Sequence, residues 1–294
     1  MDFKEVPSEE KEKYFIDKYR SKVKFAGPHH GRIKQIQSLI SNTKPNPNRF
    51  FIIEGIWACE KALEYNLQIE AFLFCPELIF SSESIKIVDD FINVANDSYM
   101  VSKKVLLKVS ERDNPDGLLA ICRLPVHTID DIRLKDRNII VVLDGLEIPG
   151  NIGTIIRAVD GAGGDGILIC NHKARLTHPK LIKSSQGSNF KIPVIELDTD
   201  EAIKWLNKND FSIILTDTRA ERGYYEEGYE GRIAIVAGSE KYGISEKWYD
   251  NRHKMVSIPM HGDCDSLNVA IATSIVLYEA KLKQEGKYNS ILRI

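Results

Sequence analysis

The side chains that could do chemistry lie in three short stretches of the second half of the chain. Asn151 opens a predicted helix with Arg157 nearly two turns later, residues 238–243 form a glycine-bracketed loop, and Ser266 and Asn268 stand at the start of an apolar helix. Each stretch follows an apolar run typical of a buried parallel strand. Open α/β sheets bind ligands in the loops at the carboxyl ends of such strands. Three such loops in succession therefore predict a site for a polar ligand.

Each stretch also has a purely structural interpretation. Arg157 could form an internal ion pair, residues 238–243 could be a plain turn, and the third stretch could be an ordinary strand, loop and capped helix. In that helix Asp265 or Ser266 is a suitable N-cap, because its side-chain oxygen can accept hydrogen bonds from the free amides of the first turn. Apolar residues at three- and four-residue spacing predict one buried face on this helix: Leu267, Ile271, Ile275, Tyr278 and Leu282.

Two other patterns do not indicate a site. Residues 161–166 match G-x-G-x-x-G, but the predicted helix precedes these glycines and the predicted strand follows them, the reverse of a dinucleotide-binding fold. The glycines are instead expected to end a helix, where left-handed backbone angles are needed. His172 and His178 lack the spacing of a zinc pair, so no metal site is predicted.

Composition describes an ordinary globular protein. The chain has 294 residues, 43% hydrophobic and 28% charged, with a net charge of -2, so any anionic partner must be bound by local basic patches. Its five cysteines are scattered and mostly lie in apolar runs, as expected of reduced thiols. We find no apolar run that approaches a membrane span and no secretory signal, and therefore expect a cytoplasmic protein without a membrane partner.

Predicted strands and helices alternate along two α/β units. In the first unit, strands are predicted at residues 50–53, 69–74, 98–101 and 118–122, and helices at 56–65, 84–95 and 102–109. In the second, strands are predicted at 138–144, 166–170, 193–196, 211–216, 233–237 and 255–258, and helices at 151–161, 179–184 and 200–207. The expected organisation is a basic N-terminal arm (1–48), an α/β domain (49–124), a linker (125–137), and a domain with a mostly parallel, doubly wound sheet (138–294).

Two acid-free segments carry a run of positive charges. Neither residues 21–49 nor residues 171–191 contain Asp or Glu. Such a segment is either a solvated face or a surface that contacts phosphates, and we predict that both contribute to RNA binding. The residues assigned to this surface are Lys22, Lys24, Arg32, Lys34, Arg49, Lys173, Arg175 and Lys183.

Taken together, the three polar stretches resemble the signature motifs of a known enzyme family. They read N-x-G-x-x-x-R-A at residues 151–158, G-S-E-x-x-G at 238–243 and I-P-M-x-G-x-x-x-S-L-N-V-A at 258–270. This set is similar to the SpoU (TrmH-like) branch of the SPOUT RNA methyltransferases. The resemblance covers about residues 138–285, and residues 51–55 with the helix after them more weakly resemble a ribosomal-protein-like RNA-binding domain.

The resemblance implies a deep trefoil knot in the second domain, a homodimer, and S-adenosylmethionine as methyl donor for a ribose 2′-hydroxyl of RNA. Carried over by position, the residues that bind the cofactor are Leu215, Thr216, Gly238, Ile258, Met260 and Leu267. The residues that the resemblance implies for the methyl-transfer step are Arg157, Asn151, Glu240, Ser266 and Asn268. Arg157 is either the base or an electrostatic clamp on the developing alkoxide, and we favour the clamp because a guanidinium does not deprotonate in proteins.

The two-domain plan resembles members that modify ribosomal RNA, so we expect a ribosomal substrate, of the large subunit, over tRNA. A tRNA 2′-O-methyltransferase and an inactive, knotted RNA-binding dimer are the alternatives. Methylation of a base or a protein is a third possibility that keeps the same cofactor site. The presence of all five implied reacting residues argues against an inactive protein.

Overall fold

The computed structural model describes residues 3–250 and 252–287. The chain divides between Pro125 and Val126 into two compact units. Parts of the predicted ranges 1–48 and 138–294, namely residues 1–2, 251 and 288–294, lie outside the described residues.

The first unit is a five-stranded sheet with helices around it. Its strands are β1 (Val23–Phe25), β2 (Phe50–Glu54), β3 (Gln68–Phe74), β4 (Asp97–Met100) and β5 (Leu118–Arg123). Its helices are α1 (Ser8–Tyr19), α2 (Gly31–Ser41), α3 (Ile56–Glu64), α4 (Ser82–Val94) and α5 (Lys103–Leu106). The strand order is β1-β4-β3-β5-β2, and β5 runs antiparallel to both of its neighbours.

The predicted N-terminal arm is instead part of this unit. Strand β1 pairs with β4, so that Val23 lies opposite Ser98. Phe15 of α1 is fully buried, with its ring 5.1 Å from that of Phe74. Because the sequence of residues 1–48 is rich in charge, its few buried apolar residues gave no clear strand or core signal.

The second unit is a six-stranded sheet in which every pair of strands is parallel. Its strands are β6 (Asn138–Asp144), β7 (Gly166–Cys170), β8 (Val194–Glu196), β9 (Ser212–Thr216), β10 (Arg232–Gly238) and β11 (Lys254–Val256). Its helices are α6 (Pro149–Ala162), α7 (Pro179–Ser185), α8 (Ser188–Lys191), α9 (Thr199–Lys208) and α10 (Val269–Gln284). The order β11-β9-β10-β6-β7-β8 confirms the predicted parallel sheet.

Residues 125–137 are not a free linker. Ile132 is buried in the core of the second unit with Ile140 and Leu168. A short helical turn, Ile129–Asp131, precedes it and is capped by Thr128. This segment therefore packs with the sheet that follows it.

Helix α10 differs from its prediction at its start and in its orientation. Asn268, not Asp265 or Ser266, is the N-cap: its Oδ1 accepts from the amides of Ala270 (2.9 Å) and Ile271 (3.4 Å). The stripe of residues that was predicted to be buried lies on the outer face of the helix. Leu267, Ile271 and Tyr278 are exposed, and Ile275 and Leu282 are half-buried. The buried residues of the helix are Val269, Ala270, Thr273, Val276, Leu277, Glu279 and Ala280. Both faces of the helix are thus largely apolar, and periodicity alone could not decide between them.

The glycines at the end of α6 act as expected. Gly163 has the left-handed angles φ 66° and ψ 39° and ends the helix, and β7 begins at Gly166. Among the described residues no helix is long and apolar enough to cross a membrane. The same residues contain no cluster of three or more His, Cys, Asp or Glu side chains that could hold a metal ion.

Candidate active site

The six parallel strands of the second unit all end at the same edge of its sheet. Asp144, the last residue of β6, pairs in register with Gly238, the last residue of β10. The buried Asp144 carboxylate accepts from the amide of Ser245 and from Nδ2 of Asn171, both at 2.7 Å. One carboxylate therefore connects the loops that follow β6, β7 and β10, and gives this edge a defined shape.

The first and second motifs meet through a direct hydrogen bond. Asn151, in the first turn of α6, donates from Nδ2 to Oε1 of Glu240. The third motif joins at the other end of the same amide, since Nδ2 of Asn268 donates to Oδ1 of Asn151 at 3.2 Å. Asn268 is held in turn by its role as N-cap of α10. We call this chain of three side chains, Asn151, Glu240 and Asn268, the amide relay.

A cavity of about 400 Å³ lies beside the amide relay. Five of the six residues implied for the cofactor line this cavity: Thr216, Gly238, Ile258, Met260 and Leu267. Glu240 and Ser266 line it as well. The cavity walls thus come from the ends of β9 and β10 and from the segment between β11 and α10.

Leu215 is the exception among the implied cofactor residues. It is 1% exposed and lies in the hydrophobic core with Val236 and Trp248. Successive residues of a strand point to opposite faces, so Leu215 and Thr216 cannot both face the same side. Its side chain supports the sheet beneath the cavity.

Gly238 is required by the loop that follows it. A Cβ atom at this position would lie 2.2 Å from the carbonyl carbon of Gly243 and 2.3 Å from the amide nitrogen of Ile244. Residues 238–243 therefore fold back on themselves so tightly that no side chain fits.

Arg157 stands apart from the amide relay. It is exposed on α6, between the buried Ile156 and the half-buried Ala158. Within the described part of the chain it makes neither a hydrogen bond nor an ion pair, so the internal ion pair considered for it is not found there. It does not line the cavity either. The structure brings together Asn151, Glu240, Ser266 and Asn268, and leaves Arg157 free to contact another molecule.

A polar cluster at the cavity wall was not foreseen. Arg219 donates to both carboxylate oxygens of Asp217, at 3.1 and 2.8 Å, and Tyr249 donates to the same group. Hydrogen bonds from Arg219 lower the pKa of Asp217 to about 2, against the effect of burial. Asp217 and Arg219 directly follow β9, and that position at a strand end was a signal available in the sequence. No local pattern indicates Tyr249, which lies 30 residues after Arg219.

Two of the predicted RNA-binding cations form ion pairs with acidic side chains. Lys24 is paired with Asp97 at 2.8 Å, and Arg32 is paired with both Glu70 and Asp97 at 2.9 Å. These pairs lower the pKa of the Asp97 carboxyl, Lys24 having the largest effect. The acid-free segment is therefore partly neutralised by acids that the fold brings from β4 and the middle of β3.

The other predicted cations differ in their exposure. Lys22 donates to the neutral Asn93 at 2.9 Å, and Arg49 is half-buried. The remaining predicted residues are exposed: Lys34, Lys173, Arg175 and Lys183.

Sequence and structure comparisons define the class of the protein. The second unit matches the SpoU rRNA Methylase family over residues 138–278, and the first matches an MRM3-like substrate binding domain over residues 30–120. An RNA 2′-O ribose methyltransferase of known structure is 31% identical, with 89% of this chain and 98% of the other covered and a TM-score of 0.74. The chain belongs to the SpoU methylase family.

Two further relatives extend over most of the chain. An rRNA methyltransferase from Sinorhizobium meliloti, solved with bound AdoMet, is 25% identical, with 89% of this chain and 98% of the other covered and a TM-score of 0.80. The 23S rRNA (uridine(2479)-2′-O)-methyltransferase of Streptomyces viridochromogenes is 26% identical, over 85% of this chain and 89% of the relative. Both units are therefore shared with proteins of this family.

Proposed function

We propose that this protein is an S-adenosylmethionine-dependent methyltransferase that modifies a ribose 2′-hydroxyl of ribosomal RNA. The observation that carries the proposal is the amide relay, which places three motifs of a 2′-O-methyltransferase family around one cavity. The relatives named above, an RNA 2′-O ribose methyltransferase and a 23S rRNA 2′-O-methyltransferase, support the reaction and the acceptor.

The cavity fits S-adenosylmethionine. Its volume of about 400 Å³ lies in the range of small-molecule sites, about 300–1,000 Å³. Ile258, Met260 and Leu267 offer apolar surface for an adenosine, and the loop of residues 238–243 offers backbone polar groups. Bound there, the cofactor supplies an electrophilic methyl group.

The protein's own side chains orient the acceptor and stabilise charge. The amide of Asn151 is held at both ends by Glu240 and Asn268, so its orientation is set before RNA binds. We assign to the amide relay and Ser266 the positioning of the ribose. The 2′-hydroxyl releases its proton to water as its oxygen takes up the methyl group, and a cation beside the developing alkoxide lowers the barrier. We assign this stabilisation to Arg157, which stays protonated and therefore acts as a clamp and not as a base.

We also propose that the protein forms a homodimer. The outer stripe of α10 exposes Leu267 (37%), Ile271 (54%) and Tyr278 (43%). Apolar surface of this kind on a helix end beside an active site supports contact with a second copy of the chain. In such a dimer the exposed Arg157 can serve the site of the second subunit.

We also infer that the second unit is knotted. Strands β9 and β11 pair at one edge of the sheet, whereas α10, which follows β11, packs against α6 and β10. The chain after β11 must therefore pass back across the loops that follow β9 and β10. The bridge between Gly223 and Ser257, and the hydrogen bond from Lys283 to the carbonyl of Glu227 (2.9 Å), support this path.

We assign RNA binding to the first unit. Its match to a substrate-binding domain supports a role in choosing the acceptor, and its mixed sheet is compatible with the ribosomal-protein-like domain expected from the sequence. We place the protein in the cytoplasm, where large-subunit RNA is its substrate.

The proposal is tested by incubating the full chain with methyl-labelled S-adenosylmethionine and either unmodified 23S ribosomal RNA or bulk tRNA. We expect label in the ribosomal RNA, and nuclease digestion should place it on ribose. Label on a base would overturn the ribose assignment, and label confined to tRNA would overturn the choice of substrate.

A further inference from the structure

Tyr242 has an unusual position for an aromatic side chain. It is 72% exposed, yet it lines the cavity and lies two residues after Glu240 of the amide relay. It occupies one of the two unspecified positions of the G-S-E-x-x-G motif. The motif therefore explains the loop but not this side chain.

The loop that carries Tyr242 is held firmly. Ser239 and Gly243 exchange backbone hydrogen bonds of 3.0 and 2.9 Å, and the amide of Tyr242 donates to Oγ of Ser239 at 3.0 Å. Gly243 adopts a φ of +69°, which glycine permits without strain. Glu240 anchors the same loop to Asn151. The ring is therefore exposed from a fixed backbone and not because the loop is loose.

We propose that Tyr242 is the platform on which the base of the acceptor nucleotide stacks. This rests on the proposed function, because it takes the amide relay as the place where the acceptor ribose binds. The base of that nucleotide is attached directly to the ribose, so it must lie close to the loop that holds Glu240. An exposed aromatic ring stacks on any base, which makes it a positioning contact that tolerates different sequences.

The charge beside the ring favours RNA as its occupant. Nζ of Lys241 lies 4.9 Å from the centroid of the Tyr242 ring. A nucleic-acid strand stacked on the ring would bring its phosphates near this ammonium group, and such pairing of a cation with an aromatic platform is typical of single-stranded RNA sites. The cofactor's adenine and a second subunit are the other groups that could cover the ring, and the experiment separates them.

The experiment compares Tyr242→Ala with Tyr242→Phe and Tyr242→Trp in the full chain. The probes are S-adenosylmethionine alone, measured by calorimetry, and unmodified 23S ribosomal RNA, measured both by filter binding and by the KM of methyl transfer. Loss of one stacked base costs a factor of about 5 to 150 in affinity. We expect Tyr242→Ala to raise the RNA KM and Kd within that range, while both aromatic variants stay within about threefold of wild type. We expect the cofactor Kd of all variants, and their mass by light scattering, to match the wild type.

Three outcomes would overturn the stacking role. They are an RNA KM and Kd unchanged in Tyr242→Ala, a loss confined to cofactor affinity, and a change in oligomeric mass that accounts for the loss. Absence of any methyl transfer by the wild type would count against the proposed function instead. Filter binding would still test the stacking contact in that case, since it needs no turnover.

Discussion

At the scale of single residues, Arg157 and the amide relay differ in how far their side chains are held in place, and the proposed function gives them different roles. Asn151 is fixed by two partners, whereas Arg157 has none within the described chain and is exposed. A fixed amide suits orientation, and a free guanidinium suits contact with phosphate or with negative charge that appears during reaction. The two residues thus fit different roles although both lie on α6.

The proposed role of Arg157, electrostatic stabilisation of the developing alkoxide, is tested by replacing this residue. We expect Arg157→Ala to lower the methyl-transfer rate about 10²- to 10³-fold, by analogy with the loss of one oxyanion donor, and to leave the cofactor Kd unchanged. Arg157→Lys keeps the positive charge and should retain part of the rate. Single-turnover assays would measure both, with Thr154→Ala, exposed on the same helix, as the control. A rate for Arg157→Ala within a few-fold of wild type would remove Arg157 from the chemistry.

The Asp217 cluster gives a prediction about pH. The folded pKa of Asp217, about 2, lies below the ordinary value of 3.8, so ionisation favours the folded state. This contribution is complete above pH 3.8 and is lost as pH falls toward about 2. Asp217→Asn should therefore lower the free energy of unfolding at pH 7 by about 2 kcal/mol at most, which lowers the urea midpoint. The difference from wild type should shrink as pH approaches the folded pKa.

The control for this experiment is Asp250→Asn. Asp250 pairs with Arg252 in an exposed position, and solvent screening makes such pairs contribute little. Urea titrations followed by tryptophan fluorescence at several pH values would measure both variants. A difference for Asp217→Asn that stays constant with pH would show that its carboxylate does not contribute through its charge.

At the scale of elements, α2 and the turn after it form the accessible basic surface of the first unit. A groove of about 350 Å³ lies between them, lined by Lys34, Lys44 and the buried Phe50 among others. No acid occurs between residues 21 and 49, and the acids that neutralise this segment pair with Lys24 and Arg32. Lys34, exposed on α2, is therefore the better placed cation for a phosphate.

A matched pair of lysine variants tests this surface. We expect Lys34→Ala to weaken binding to 23S ribosomal RNA and to reduce the slope of log K against log salt by about 0.9, the value for one lost phosphate contact. Lys24→Ala should have a smaller effect, because Lys24 is already paired with Asp97. Filter binding between low and physiological salt would measure both slopes. Equal slopes for the two variants would contradict the assignment.

At the scale of the whole molecule, the proposed homodimer depends on the outer stripe of α10. A helix with two apolar faces is expected where one face packs on its own sheet and the other on a partner. The exposed stripe begins at Leu267, which also lines the cavity, so the proposed subunit contact and the proposed cofactor site would be adjacent.

A charge in this stripe should separate the subunits. We expect wild type to have about twice the chain mass of 33.3 kDa in light scattering and Ile271→Glu to have the mass of one chain. The reason is that a carboxylate on the stripe would have to be buried without a partner. Gln37→Glu, which adds the same charge at an exposed position of α2, is the control and should stay dimeric. A dimeric Ile271→Glu would place the interface elsewhere.

The parallel sheet of the second unit, its strand positions and the three polar motifs could all be predicted from the amino-acid sequence. These depend on local properties: continuous apolar runs predict buried strands, and polar groups at their ends predict a ligand edge. Five of the six residues that the family resemblance implies for the cofactor line the cavity. The side chain of Leu215 points into the core, because neighbouring strand residues face opposite ways and a position in a motif does not say which way a side chain points.

Contacts between residues that are far apart in the sequence could not be predicted and are seen only in the folded chain. The pairs of Lys24 and Arg32 with Asp97 join residues 73 and 65 positions apart, so no local charge count could reveal them. Which face of α10 is inward depends on the sheet beneath it, since both faces are apolar. Gly238 is explained only by the fold-back of its own loop. Strand pairing and packing bring such groups together, and these are properties of the folded chain and not of any short stretch of sequence.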